Sequence, residues 1–413
     1  MQDPRFTAIS RRSLLVGLGS LALSPLLSSC AAPDPNLLRV LILRGSIPLQ
    51  FVRAFQRSAA PTAIPATPAS VQLDSRAQLM DLFAQLQAWK QSPPDLSPPS
   101  GWDMVRQWIP FMGARQYVPD LMTLGDSWLA PAIAQGLIQP LDPQQVKGWA
   151  SLAQLPQLAQ LVTRNPQGQP DPNGKIWAFP YRLGTTAIAY RKDIFAQRNL
   201  QPPTDWSDLW RADLRRRIAL LDQPREVIGL TLKKLQQSYN TADLTTVPNL
   251  AQELQALNQQ ALYYSSTTYL QPLVLEDAWV AVGWSTDLLA LAQRNHQIGV
   301  VVPASGASLF ADLWVQPTMT GGRLSSSAYA WIDFCWQLDY ATQLTLATLA
   351  IAPPLLVTPP VAPVPDGFRT QPALLPDPAV IQRSEFLLPL TSATTQQYRD
   401  LWTAMRSTPP TAA

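Results

Sequence analysis

Nucleophilic hydrolysis by a serine or cysteine needs an imidazole within reach of the attacking atom, and this 413-residue chain carries a single histidine, His296. Its setting, Gln293-Arg294-Asn295-His296-Gln297, is a polar stretch after a helical pattern and reads as a solvated loop. Catalytic zinc usually asks for two or three imidazoles, so that class falls on the same ground. The two cysteines, Cys30 and Cys335, form no thiol cluster for a metal. Cys335 lies in the apolar run Ala330-Trp331-Ile332-Asp333-Phe334-Cys335-Trp336 and reads as a buried helix-face residue. No Walker loop, His-Glu-x-x-His or calcium loop is present, and the glycine-spaced run Gly17-Leu18-Gly19 stands near the N-terminus. No cofactor and no metal is therefore expected. Carboxylates remain, and a pair of them could perform glycoside hydrolysis, which residue types alone leave open.

The N-terminal segment sets the compartment. Ser10-Arg11-Arg12-Ser13-Leu14-Leu15 leads into a soft apolar run from Leu14 to Leu27, broken by Gly17, Gly19 and Pro25, and then Leu27-Ser28-Ser29-Cys30. A run of roughly 14 residues is too short to span a bilayer, which needs roughly 20, so residues 1–29 read as a signal peptide. The paired arginines resemble a twin-arginine export signal. Leu-Ser-Ser-Cys resembles a lipobox, with Cys30 as the acylated first residue of the mature chain and residues 30–36 as its tether. The expected location is periplasmic, held to a membrane through the lipid on Cys30.

Composition narrows the partners. Arg5, Arg11 and Arg12 against Asp3 account for two of the three net positive charges, so the mature chain is nearly neutral and has no footprint for nucleic acid. The 46% hydrophobic content over this length supplies cores for two domains, and 41 prolines with only 14% charged residues predict a loop-rich, uncharged surface.

The elements that must position any site alternate strand and helix. Leu37 to Leu43 predicts a buried strand, Leu49 to Gln56 a short helix, Val71 to Leu73 a strand and Arg76 to Lys90 a helix with Leu79, Leu82, Phe83, Leu86 and Trp89 on one face. Ser58 to Ala69 and Ser92 to Gly101 are Pro-rich insertions. Val118 to Leu124 predicts a strand ending at Gly125-Asp126-Ser127-Trp128, which opens a helix. This alternation predicts an α/β fold with a parallel sheet, and in such sheets ligands gather at the carboxyl ends of strands. Gly45-Ser46 and the Asp126 to Trp128 turn fall there. Asp126 and Trp128 read equally as cleft lining or as helix-capping residues.

A family resemblance runs through several segments in order. Pro119 to Trp128, Gly136 to Asp142, Phe179-Pro180-Tyr181-Arg182-Leu183-Gly184-Thr185-Thr186 onward to Tyr190, Trp206 to Trp210, Leu220 to Val227, Ala281 to Ser285 and Phe310-Ala311-Asp312-Leu313-Trp314 together resemble the polyamine-binding branch of bacterial extracellular solute-binding proteins. That is the spermidine/putrescine-binding type serving ABC transporters. The resemblance implies a monomer of two α/β lobes joined by crossover hinge strands, with a solute enclosed between them and permease subunits as partners. Mapped so, residues 37–186 and about 312–413 form the first lobe, 187–311 the second, and the C-terminal helices, including Ala328 to Leu344 and Gln396 to Met405, pack back across the hinge.

The same resemblance assigns roles. Glu226 matches a carboxylate contacting a ligand ammonium, Asp312 a second one beside the aromatic Phe310, and Trp284 an indole packed on the ligand's methylene chain; Tyr181 and Arg182 reach the cleft at the hinge. An ammonium leaving water needs charge-assisted hydrogen bonds, and its aliphatic spacer favours aromatic walls. Alternative readings are a helix-capping Glu226, a structural hinge Asp312 and a core Trp284. Departures accompany the matches: the first turn is Arg44-Gly45-Ser46-Ile47-Pro48, and Gln223 stands three residues before Glu226 where an acid is usual. Arg182 would repel a polycation unless Asp126 or Glu226 neutralises it. It reads either as an interlobe ion pair or as the recogniser of a ligand carboxylate, so an amine and an anionic or amino-acid-like solute both stay open.

Overall fold

The computed structural model describes residues 37–58, 70–93, 117–320, 322–358, 367–368 and 371–407. Arg11, Arg12, Cys30 and the tether lie outside the described residues, as do most of both Pro-rich insertions. Strands β1 (Leu37–Leu43), β2 (Ser70–Arg76) and β3 (Leu121–Gly125) pair in parallel in the order β2-β1-β3. Three short strands follow, β4 (Ile138–Gln139) and the pair β5 (Thr163–Arg164) and β6 (Lys175–Ile176). The long strand β7 (Phe179–Arg191) leads to β8 (Ile218–Leu220), β9 (Ala261–Tyr264), β10 (Val280–Trp284) and β11 (Ile298–Val301). Strand β12 (Ser308–Pro317) returns, and β13 (Glu385–Phe386) adds to it.

Two strands join the halves. β7 pairs antiparallel with β12 through residues 179–185 and then with β10 and β11 through residues 186–191, so one extended segment belongs to both ends of the sheet. β12 continues along β3. The overall order is β2-β1-β3-β12-β7-β10-β8-β9. Separate cores lie on each side. Phe51, Leu82, Trp314 and Trp331 fill the first; Phe195, Trp206, Val227 and Leu257 fill the second. The last helix, Ser392–Ser407, contributes Tyr398 and Met405 to the second core.

Local boundaries differ from the sequence expectation for identifiable reasons. Arg76 extends β2 opposite Leu43, and its carbonyl accepts the Arg44 N–H at 2.8 Å, so the following helix begins at Leu79, where the Gln78 N–H is capped by the Asp81 carboxylate. At Asp120 the N–H donates to the Arg39 carbonyl at 2.9 Å but the carboxylate accepts the Arg39 N–H at 2.8 Å, and β3 starts one residue later. The expected helix from Ala328 to Leu344 is two, Ser326–Cys335 and Leu338–Thr348, broken where the Trp336 indole donates to the Pro180 carbonyl at 2.9 Å. Cys335 is buried as expected, which pushes its thiol pKa up, and His296 is exposed in a turn.

Candidate functional site

The side walls of the central cavity are built mostly from strand ends and helix starts, and its floor from the crossover strands. Its volume is about 420 Å³. The first half supplies Leu43 at the end of β1, Leu79 at a helix start, and Asp126 with Ser127 just past β3; the second supplies Gln223, Arg225 and Glu226 opening helix Pro224–Lys234, and Trp284, Thr286 and Asp287 where β10 passes into helix Ser285–Arg294. Arg182 on β7 and Leu309 to Asp312 on β12 form the floor. This is the crevice beyond the carboxyl ends of strands where an open α/β sheet collects ligands.

A bulge decides what the floor presents. Arg182 is in register with Asp312 but Leu313 with Pro180, leaving Tyr181 as the extra residue on β7. Tyr181 turns into the first core, where it stacks on Trp314 at 4.1 Å and its hydroxyl meets Ser46 and Thr123, each at 2.9 Å. Arg182 faces the cavity instead. Its Nε and Nη2 donate to one oxygen of Asp312 at 2.8 and 2.6 Å, with side-chain exposures of only 13% and 4%. Against the opposing effect of burial, the Asp312 carboxylate holds this guanidinium more basic than usual.

The second-half carboxylates are satisfied by hydroxyls. Glu226, in the first turn of its helix, accepts from Ser308 at 2.6 Å, and Ser308 in turn meets Thr186 on the neighbouring crossover strand at 3.1 Å. Burial pushes Glu226 up to about 7, with Ser308 and Arg225 opposing. Asp287 accepts from Tyr269 at 2.8 Å. Tyr269 fits because residue 283 is glycine: a Cβ there would lie 1.9 Å from its ring. Asp126 is also pushed up to about 7 by burial, and the charges of Asp312 and Glu226 raise it further while the Ala311 and Ser127 N–H groups pull it down. Arg225 holds a carbonyl and an amide, donating to Leu388 O at 3.1 Å and Asn240 Oδ1 at 3.2 Å.

Residues 117–367 match the family of bacterial extracellular solute-binding proteins. The chain belongs to this family. Among individual relatives, it is 26% identical over 229 residues to the putrescine-binding periplasmic protein PotF of Escherichia coli, covering 52% of this chain and 59% of the relative. It is 29% identical over 247 residues to the putrescine/cadaverine-binding protein of Pseudomonas aeruginosa, covering 56% and 67%. The fold matches a solved structure of the spermidine/putrescine ABC transporter substrate-binding protein PotD from Streptococcus pneumoniae, with a TM-score of 0.69, 19% identity, and coverage of 90% of this chain and 98% of that one. The two-lobed α/β architecture of the solute-binding proteins is thus the architecture here.

Against this family frame, the structure sorts the residues singled out from sequence. It brings Asp126, Arg182, Glu226, Trp284, Phe310 and Asp312 to one cavity. It does not bring Trp128 or Tyr181 there. Trp128 stacks on Phe83 at 4.6 Å against the first core, since the short 3₁₀ turn Asp126–Trp128 sends neighbouring side chains to different faces. Tyr181 is taken inward by the bulge. Neutralisation of Arg182 comes from Asp312, not from Asp126 or Glu226. Sequence reading missed Asp287 and Arg225. Asp287 had a readable signal, an acid in the first helical turn after the Trp284 strand end, while Arg225 had only its adjacency to Glu226.

Proposed function

We propose that this solute-binding protein is the capture subunit of an ABC-type importer and that its solute is a small protonated amine, held in the cavity between the lobes. The observation that carries the reading is the pair of carboxylates Asp126 and Glu226, which line one cavity with hydroxyl or backbone donors and, among the described residues, no ion-paired guanidinium; the exposed Asp287 also lines it. A desolvated carboxylate without a counter-ion favours a cation, and an ammonium supplies both charge and donors. Trp284 and Phe310 provide aromatic walls for the aliphatic part. The relatives named for putrescine, cadaverine and spermidine support the same class. A ligand carboxylate finds Arg182 already engaged by Asp312, while Arg225, which donates to the neutral Leu388 carbonyl and Asn240 amide, lies beside the negative charge of Glu226. Because Asp126 and Glu226 come from opposite lobes, an ammonium between them would draw the lobes together.

The reading includes the anchor: Cys30 carries the lipid that holds the protein to its membrane after export directed by Arg11 and Arg12. Calorimetry with putrescine, spermidine and simple monoamines tests the ligand class; an exothermic response to an amine that vanishes in Glu226→Gln is expected. Absence of heat with every amine, or turnover of glycosides by these carboxylates, would replace the reading. Membrane fractionation of Cys30→Ala tests the anchor, since a variant that still sediments with membranes rules the lipid out.

A further inference from the structure

We propose that Arg182 determines specificity by occupying one of two cation positions in the cavity with the chain's own guanidinium, so that the solute carries a single ammonium group; this rests on the amine reading above. The floor carboxylate Asp312 is 3% exposed and receives both Arg182 contacts on one oxygen, 2.8 and 2.6 Å away. The two residues are direct register partners on adjacent crossover strands, so the guanidinium is delivered by the backbone and not by a flexible excursion. The bulge that aims it is itself pinned, because Tyr181 is locked by Ser46, Thr123 and the stack on Trp314. A group tethered this way competes with a free ammonium at a high effective concentration, and a dissolved amine cannot displace it.

In the rest of the cavity, the solute's one ammonium is assigned to Asp126 and Glu226. Asp126 and Glu226 face it from opposite lobes, and Asp287 lies close enough for its charge to be felt at Arg182. A diamine with one ammonium at Glu226 brings a second positive charge into a cavity whose floor presents Arg182 instead of a free Asp312. Like charges in a partly desolvated cavity repel, so the second ammonium is a liability. The solute class is therefore a monoamine with an apolar or neutral polar far end resting on Trp284 and Phe310.

The test is calorimetry of 1-aminobutane and 1,4-diaminobutane with the parent, Arg182→Leu and the double variant Arg182→Leu/Asp312→Asn. The parent should bind the monoamine about tenfold or more tightly than the diamine. Arg182→Leu frees Asp312 and should reverse that preference, and the double variant, which lacks both charges and keeps the floor neutral if the single variant fails to fold, should fall between them. A parent that prefers the diamine, or a ratio that stays within about twofold across the proteins, overturns the proposal while leaving amine binding intact. Failure of both amines to bind the parent overturns it together with the amine reading.

Discussion

The crossover floor and the second-lobe wall present the same residue type to the same cavity, and treat it in opposite ways. On the floor, Asp312 is neutralised within the chain by Arg182. On the wall, Glu226 and Asp287 accept from hydroxyls, of Ser308 and Tyr269, and among the described residues neither is in a direct ion pair. The buried Asp312, with a guanidinium at 2.6 Å, is finished structure, whereas the buried Glu226, with a neutral donor, keeps an unmet demand for positive charge; the exposed Asp287 can meet its own from solvent. Carboxylates in a cleft are thus not equivalent as ligand partners; what they already hold separates the two roles.

The largest expected effect breaks the contrast from the wall side. Glu226→Gln removes the desolvated charge that the proposed amine would pair with and should weaken amine binding roughly thirty-fold or more, corresponding to about 2 to 5 kcal/mol, by calorimetry. An unchanged affinity would make Glu226 a helix-start residue and nothing else. From the floor side, Asp312→Asn leaves Arg182 buried without its counter-ion and should cost stability, roughly 3 kcal/mol as the order of size, seen as a lower urea midpoint. If the midpoint holds, the pair is not a structural unit.

Proton linkage sharpens the comparison at an intermediate size. Asp126 and Glu226 both lie near 7 in the folded protein, above their ordinary 3.8 and 4.5, so between about pH 4 and 7 the native state holds more protons than the unfolded chain. Stability of the ligand-free protein should therefore be greatest at the acid end of that window and decline as pH rises through 7. Arg164, whose guanidinium is buried near Asp126, and Arg225 beside Glu226 moderate the decline without reversing it. Amine affinity should move the other way, rising through the same window with release of protons, because an ammonium favours the ionised carboxylates. Affinity flat from pH 5.5 to 8, measured in buffers of different ionisation enthalpy, would detach both carboxylates from the ligand.

Smaller effects are expected from the supports. Gly184 lies beneath Phe310, and a Cβ there would come 2.1 Å from the ring, so Gly184→Ala should displace that cavity wall and weaken amine binding several-fold, with about 1 to 3 kcal/mol of strain in a denaturant titration. Trp128→Phe should leave amine affinity unchanged, because the ring packs on Phe83 and not on the cavity. A clear loss of affinity there would return Trp128 to the site.

What the amino-acid sequence determined by itself was the sequence of elements and the class of fold. The apolar run Leu37 to Leu43, the one-sided pattern of Leu82, Phe83, Leu86 and Trp89, and the turn at Gly125 to Trp128 are local signals, because strand and helix periodicities are written in neighbouring residues. Six of the eight candidate ligand residues also came to the cavity: Asp126, Glu226 and Trp284 at strand ends or helix starts, and Arg182, Phe310 and Asp312 on the two antiparallel crossover strands between the halves. The tertiary structure decided the charge arithmetic. Arg182 and Asp312 stand 130 residues apart, and nothing local to either says that they are register partners. One extra residue in β7 exchanges the fates of Tyr181 and Arg182: the phenol goes to the core and the guanidinium to the floor, because side chains on a strand alternate faces and a single bulge shifts that alternation. Which carboxylates remain open to a ligand follows from that shift, and it exists only once two distant strands lie side by side.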